Sequence, residues 1–338
     1  MKRLFMVLSA VSIFGVLVGE VYADRVFRYS TENAPLVTVT ATSPDTVTID
    51  RNGMEEVIPV DDVKQIVYDG EPSQFGTARE MMSNGQNEDA RDLLRNVKDN
   101  ILNSEFQKQE RDYLLAMACV RIAYSGGDVS LRDAAGMLNT YLKKHTRSFH
   151  TYELTLLLGN IAVQMKNWKV AEGAFSTLAK SENMGYKARA YDGIGKVCIA
   201  LGRGNDALKA YTEMRRIVTD SIEGELQAEL LVACQLGQAR ADVANKNYEE
   251  AEKKCEEVLK KISRTDTVMN ANAYNTLGSA LEKQRGKAKD AMLAYMHTFL
   301  LYNTDPLTRF EALEKLIALA EKEGDTTRAT QLRGYMHQ

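Results

Sequence analysis

Leu158-Gly159-Asn160-Ile161-Ala162-Val163-Gln164-Met165-Lys166-Asn167-Trp168-Lys169-Val170-Ala171-Glu172-Gly173-Ala174-Phe175 reads as two helices folded back on each other. The first carries Leu158, Gly159 and Ala162, and the second carries Trp168, Ala171 and Phe175, each set at helical spacing. Two antiparallel helices approach closely only where one of them presents a small residue. Gly159 is such a notch, with Ala171 and Phe175 set to face it and the aromatic ring closing the gap to the next pair.

The same frame recurs along the chain. Ile194-Gly195 precedes Ala207 and Tyr211, and Leu277-Gly278 precedes Ala291 and Tyr295. The step of twelve from Gly159 to Ala171 is repeated from Gly195 to Ala207, from Ala78 to Ala90 and from Ala239 to Ala251. Taking the second-helix alanine as anchor gives Ala90, Ala134, Ala171, Ala207, Ala251, Ala291 and Ala329, between 36 and 44 residues apart. The units at Ala134 and Ala329 lack the first-helix glycine and have Leu138 and Arg333 in the aromatic position.

This pattern resembles the tetratricopeptide repeat, whose signature joins Leu-Gly on a first helix to Ala-x-x-x-aromatic on a second. The resemblance implies a mainly α fold, a right-handed α-solenoid of about seven helix hairpins. The spacing exceeds the family period of about 34, so helices or turns longer than standard are expected. One hairpin cannot bury its apolar face alone, so the stack forms a continuous core.

Upstream, the period changes from 3.6 to two. Leu36 to Thr42 and Thr46 to Asp50 alternate β-branched residues, Arg51-Asn52-Gly53 supplies hairpin-turn chemistry before Glu55 to Ile58, and Lys64 to Tyr68 reads as a further strand. With Val26 to Tyr29 these make four or five strands. The segment resembles small SH3-like or Sm-like barrels, in which a turn such as Val60-Asp61-Asp62-Val63 precedes the closing strand. Asp69-Gly70-Glu71-Pro72-Ser73 marks the boundary, after which the only proline is Pro306. The expected organisation is residues 1–23 as a leader, 24–70 as a small β domain and 76–338 as the repeat solenoid.

Met1-Lys2-Arg3, the apolar run Leu4 to Gly19 and the small-residue stretch ending at Ala23 form a signal-peptide pattern, with cleavage expected after Ala23. Asp24 in place of cysteine argues against a lipoprotein. These features predict a periplasmic or extracellular protein whose mature form is soluble and has no transmembrane helix. Loss of Lys2, Arg3 and Glu20 would take the formal charge from −3 to −4, which gives no electrostatic reason to bind nucleic acid. The four cysteines, Cys119, Cys198, Cys234 and Cys255, lack the close pairing of metal or redox sites. In the repeat frame Cys234 and Cys255 fall on adjacent antiparallel helices, where either a disulfide or two buried thiols would fit.

The sequence contains no Gly-x-Ser-x-Gly elbow, no Ser-x-x-Lys pair and no His-Glu-x-x-His helix, so no catalytic residue, cofactor or metal ligand is expected. His145 and His150 flank a polar connection without an acidic neighbour in sequence and read as surface histidines. In a solenoid of this kind the first helices line a concave groove. Asn160, Gln164, Asp192, Lys196, Arg240, Asn275 and Ser279 fall on that face, a polar set of mixed sign suited to an extended peptide or a partner's helix. Leu156 and Gly193 stand where a peptide-carboxylate clamp of the family would have polar residues. The expected function is an exported, non-catalytic protein-interaction scaffold. The alternative is a cell-envelope module that binds cell-wall glycan or peptide.

Overall fold

The computed structural model describes residues 23–304 and 306–335. Five antiparallel strands come first: β1 Asp24–Arg28, β2 Leu36–Thr42, β3 Thr46–Arg51, β4 Met54–Pro59 and β5 Val63–Val67, in spatial order β4-β3-β2-β1-β5. A register shift between Val39 and Ala41 lets β2 pair with β1 at one end and with β3 along the rest. The break reverses which residues face inward: Val37 and Val39 are buried before it, Thr42 after it. Asn52 and Gly53 both take positive φ in the tight β3–β4 turn, the conformation that Asn-Gly is suited to. A 3₁₀ turn at Val60–Asp62 leads into β5, which closes on β1, the arrangement of an SH3-like unit. Its core is Val26, Val37, Val39, Val47, Ile49, Ile58 and Ile66.

Seven helix hairpins follow among the described residues. Their first helices are α1 Ser73–Ser83, α3 Glu105–Tyr124, α5 Thr151–Gln164, α7 Met184–Ala200, α9 Gly224–Ala244, α11 Thr267–Leu281 and α13 Pro306–Lys322. Their second helices are α2 Asn87–Arg95, α4 Leu131–Lys144, α6 Trp168–Leu178, α8 Gly204–Ser221, α10 Tyr248–Lys261, α12 Ala288–Leu301 and α14 Thr326–Gly334. Each second helix buries its anchor alanine, from Ala90 on α2 to Ala329 on α14. Every hairpin turn contains one residue in the left-handed region: Gly85, Gly126, Lys166, Gly202, Lys246, Gly286 and Gly324. Five hairpins use glycine there, and Lys166 and Lys246 adopt the same backbone at a steric cost.

The aromatic plugs explain the glycines. A Cβ added at Gly159 or at Gly193 would overlap the Phe175 ring, one at Gly195 or Gly237 would overlap Tyr211, and one at Gly278 would overlap Tyr295. Phe175 and Tyr211 are thus each held between a glycine of their own hairpin and a glycine of the next. Gly193, which the clamp pattern of the sequence treats as a missing polar residue, is a packing notch.

The cysteines are free and buried, which corrects the expected disulfide alternative. Cys234 sits midway along α9 and faces α8, its thiol donating to the Tyr211 carbonyl at 3.1 Å. Cys255 packs into the next seam, with Leu236, Ala239 and Ala273. Burial pushes the Cys234 thiol up to about 11 and the Cys255 thiol up to about 12.

Two stability predictions follow from this packing. Gly237→Ala should lose about 2 kcal/mol in denaturant unfolding through overpacking against Tyr211, whereas Tyr211→Phe, which removes a buried hydroxyl without a hydrogen-bond partner, should cost nothing or stabilise. Lys166→Gly and Lys246→Gly should each raise stability by about 0.5–1 kcal/mol. A loss on either change would mean that the lysine side chain contributes more than its backbone costs.

Candidate functional site

Residues three or four apart share a helix face. On α7, Arg189, Asp192, Lys196 and Ile199 form one such stripe, and Lys196 Nζ lies 2.6 Å from Asp192 Oδ2. Ile199 lines a cavity of about 380 Å³ built also from α9, α11 and α13. Three of the seven groove residues expected from sequence, Arg240, Asn275 and Ser279, meet there. Asn160 lies half-buried on α5, Gln164 is exposed at that helix's last turn, and neither lines this cavity.

Neutral groups hold the Arg240 guanidinium in position. Its Nε donates to Thr276 Oγ1 at 3.1 Å and its Nη2 to Asn272 Oδ1 at 2.6 Å. No carboxylate pairs with it among the described residues. Asn275 is 2% exposed and donates Nδ2 to the Thr308 carbonyl at 2.9 Å and to Glu311 Oε2 at 3.1 Å. Those two acceptors fix the amide's orientation and leave Oδ1 buried without a hydrogen bond. Ser279 Oγ lies 3.1 Å from Tyr295 Oη. The cavity therefore offers a cation without a counter-ion and a carboxylate beside the apolar side chains of Ile199 and Val243.

At the other end of the first helices the β unit is seated on the solenoid. Phe149, with Phe106, Tyr152 and Tyr186, packs against the β core. Thr42 Oγ1 donates to the Arg147 carbonyl at 2.9 Å and Tyr152 Oη to Asp45 Oδ1 at 3.0 Å. Beneath the joint lies a buried charge network. Arg79 on α1 bridges Glu71 at 2.5 Å and Glu110 at 2.8 Å, and Glu110 meets His150 Nε2 at 3.1 Å. His150 Nδ1 is 3.7 Å from Glu153, and the Tyr113 ring stacks on the imidazole at 3.4 Å. His145 pairs likewise with Asp112, at 2.9 Å. Both histidines are buried and paired with carboxylates, which corrects the expectation of surface histidines. Their hydrogen-bonded partners, Asp112 and Glu110, lie 33 and 40 residues away in sequence, beyond the reach of local pattern, while Glu153 stands at i+3 from His150.

Burial opposes the His150 charge, but hydrogen bonds to Glu110 and Glu153 outweigh it and hold the imidazole above its ordinary value. Burial likewise opposes the Glu110 charge, and His150 and Arg79 outweigh it and hold that carboxylate below the usual range. Among the described residues no group of three His, Cys, Asp or Glu side chains is arranged to hold a metal, and no helix is long and apolar enough to cross a membrane.

Between the β unit and α5, α7 and α9 lies a second cavity of about 530 Å³. Sequence reasoning did not select its residues, because the walls come from two units whose docking no spacing encodes.

No family model matches the chain, and no curated protein matches it by sequence. Among solved structures, a Rap protein complexed with competence and sporulation factor is similar at a TM-score of 0.54 and 14% identity, over 77% of this chain and 73% of that one. A tetratricopeptide repeat protein from Parabacteroides merdae ATCC 43184 also gives a TM-score of 0.54, at 15% identity, over 77% of this chain and 89% of that one.

The charge network makes stability depend on pH. His150, raised above 6.5, contributes stability that is complete below 6.5 and is lost as pH climbs through its folded value. Glu110, lowered below 4.5, contributes stability that is present above 4.5 and is lost as pH falls through its folded value. The joint should therefore be most stable between pH 4.5 and 6.5. His150→Gln should cost about 3 kcal/mol in that window and flatten the decline in melting temperature above it. Parallel pH profiles for the two proteins would remove His150 as the source.

Proposed function

We propose that this chain, whose fold is that of tetratricopeptide-type solenoids, is an exported, non-catalytic scaffold that holds an extended peptide or partner-protein segment along its concave groove. The observation that carries the reading is Arg240, which lines the cavity held by Thr276 and Asn272 with no carboxylate paired to it among the described residues. Arg240 supplies charge for an acidic or carbonyl group, and the Ile199 and Val243 side chains receive an apolar one. A Rap protein of similar fold has been solved in complex with competence and sporulation factor, which supports a binding role for such a surface.

Non-catalytic action is part of the proposal. The densest set of titratable groups, around His150, is buried and paired internally beneath the β unit. Export rests on residues 1–23, of which 1–22 lie outside the described residues. The first strand begins at Asp24, directly after the expected cleavage point, and its carboxylate accepts from the Val39 N–H at 2.7 Å and the Asp69 N–H at 2.9 Å. An expected cleavage point directly before residues built into the fold supports the reading.

Affinity capture from a cell-envelope extract, with the parent chain and Arg240→Ala side by side, tests the groove. A captured protein whose apparent affinity falls about tenfold or more in the variant is the expected result. Equal retention by both would sink the groove reading.

A further inference from the structure

A third cavity, of about 200 Å³, lies where β5 meets α1 and α3. It is smaller than the ~300 Å³ at which sites for drug-sized ligands begin, so its occupant is small. Its one lining carboxylate, Glu110, is engaged by Arg79 at 2.8 Å and by His150 at 3.1 Å, and Arg79 is further paired with Glu71. These buried charges answer one another and are not the groups that would meet a ligand.

Two other cations line the cavity, and neither belongs to that network. Lys64 on β5 is exposed, and its side chain makes no hydrogen bond or ion pair among the described residues. Arg121 on α3 donates Nη1 to the Met82 carbonyl at 2.8 Å, a neutral partner, and makes no ion pair among them. The Gln65 amide, on the same cavity, is also without a hydrogen bond among the described residues. These three groups come from both units of the chain, Lys64 and Gln65 from β5 and Arg121 from the solenoid.

Seating the β unit therefore brings two like charges to one small cavity, which costs energy unless an anion joins them. Their number fixes the class of that anion. A monoanion would leave one cation over, whereas a phosphate near neutral pH carries close to two charges and has three oxygens for the ammonium, guanidinium and amide donors. Met82, Leu114 and Met117 form an apolar part of the lining, which suits an organic group carried on the phosphate.

We propose that this cavity binds a doubly charged phosphate group, as the free ion or as a small phosphomonoester. Lys64 and Gln65 hold its oxygens from the β unit and Arg121 holds them from α3, so the ligand ties the two units together. The site is independent of the groove reading, because it shares no lining residue with the cavity at Arg240.

The test titrates the purified chain by calorimetry in chloride buffer at pH 7.5 and constant ionic strength, with inorganic phosphate, phenyl phosphate and benzoate. One equivalent of phosphate or phenyl phosphate should bind, and benzoate should bind about tenfold more weakly or not at all. Tighter binding of phenyl phosphate than of phosphate assigns the ester, and equal binding assigns the free ion. Lys64→Gln and Arg121→Gln should each lower the affinity about tenfold, while Lys209→Gln, an exposed lysine on α8, should leave it unchanged. Phenyl phosphate should also raise the melting temperature of the parent chain more than that of either cavity variant. Circular dichroism and the ligand-free melting temperature establish that each variant is folded. Lys64 has no side-chain hydrogen bond or ion pair to lose, so Lys64→Gln decides the matter should Arg121→Gln destabilise the chain. No saturable binding of either phosphate compound, benzoate binding as tightly as phenyl phosphate, or full affinity in Lys64→Gln would each overturn the inference.

Discussion

The Phe175 ring lies between Gly159 of its own hairpin and Gly193 of the next, and Tyr211 stands in the same relation to Gly195 and Gly237. This contact sets how closely successive hairpins approach, and much else depends on that distance. A side chain at any of the four glycines would force α5, α7 and α9 apart. The buried alanine on each second helix does the complementary work across the hairpin. With spacing and tilt set this way, the first helices present their remaining faces side by side, and polar residues distant in sequence come within hydrogen-bond range. Arg240 on α9 reaches Asn272 and Thr276 on α11, and Asn275 on α11 reaches Glu311 on α13. The candidate site is thus a product of the packing.

The sequence is legible where a residue's role depends on near neighbours. Alternating β-branched residues marked β2 and β3 within an expected four or five strands, and the alanine spacing marked about seven hairpins, three of them with the aromatic as well, because these signals are local consequences of burying one face. Gly193 and Gly237 show where that reading stops. Each serves an aromatic ring of the preceding hairpin, 18 residues from Phe175 and 26 from Tyr211, and a variable interval carries no signature. His145 and His150 fail for the same reason. Asp112 and Glu110 stand on α3, and only the packing that brings the α4–α5 connection against α3 makes them partners of the two histidines.

The groove set was read as a surface and is in part a joint. Asn275 is almost fully buried and ties α11 to α13, while Lys196 is occupied by Asp192 on its own helix. Helical phase gives the direction of a side chain but not the position of the neighbouring helix, so exposed and bridging polar residues look alike in sequence. Arg189 lies three residues before Asp192 on the same stripe, yet nothing local separates it from any other solvated arginine. It becomes distinctive only because the β unit is seated beside it and brings Lys64 and Tyr29 to the same cavity.

That seating is expensive in electrostatic terms, and the cost constrains its role. Glu110 and His150 are both buried, and a buried ion pair is a weak source of net stability compared with apolar packing of the same volume. What it supplies is specificity of position: Arg79 from α1, Glu110 from α3 and His150 from the turn before α5 satisfy one another in a single arrangement, sliding the first hairpin would leave a charge unpaired, and Arg79 also donates to the Ile66 carbonyl of β5 at 3.4 Å. The Tyr113 ring stacked on His150 and donating to Glu153 carries the same constraint to the wall of the cavity. A β unit held only by apolar contact could settle in several registers on a curved helical surface. Arg79 on the Ile66 carbonyl, Thr42 on the Arg147 carbonyl and Tyr152 on Asp45 select one seat for it.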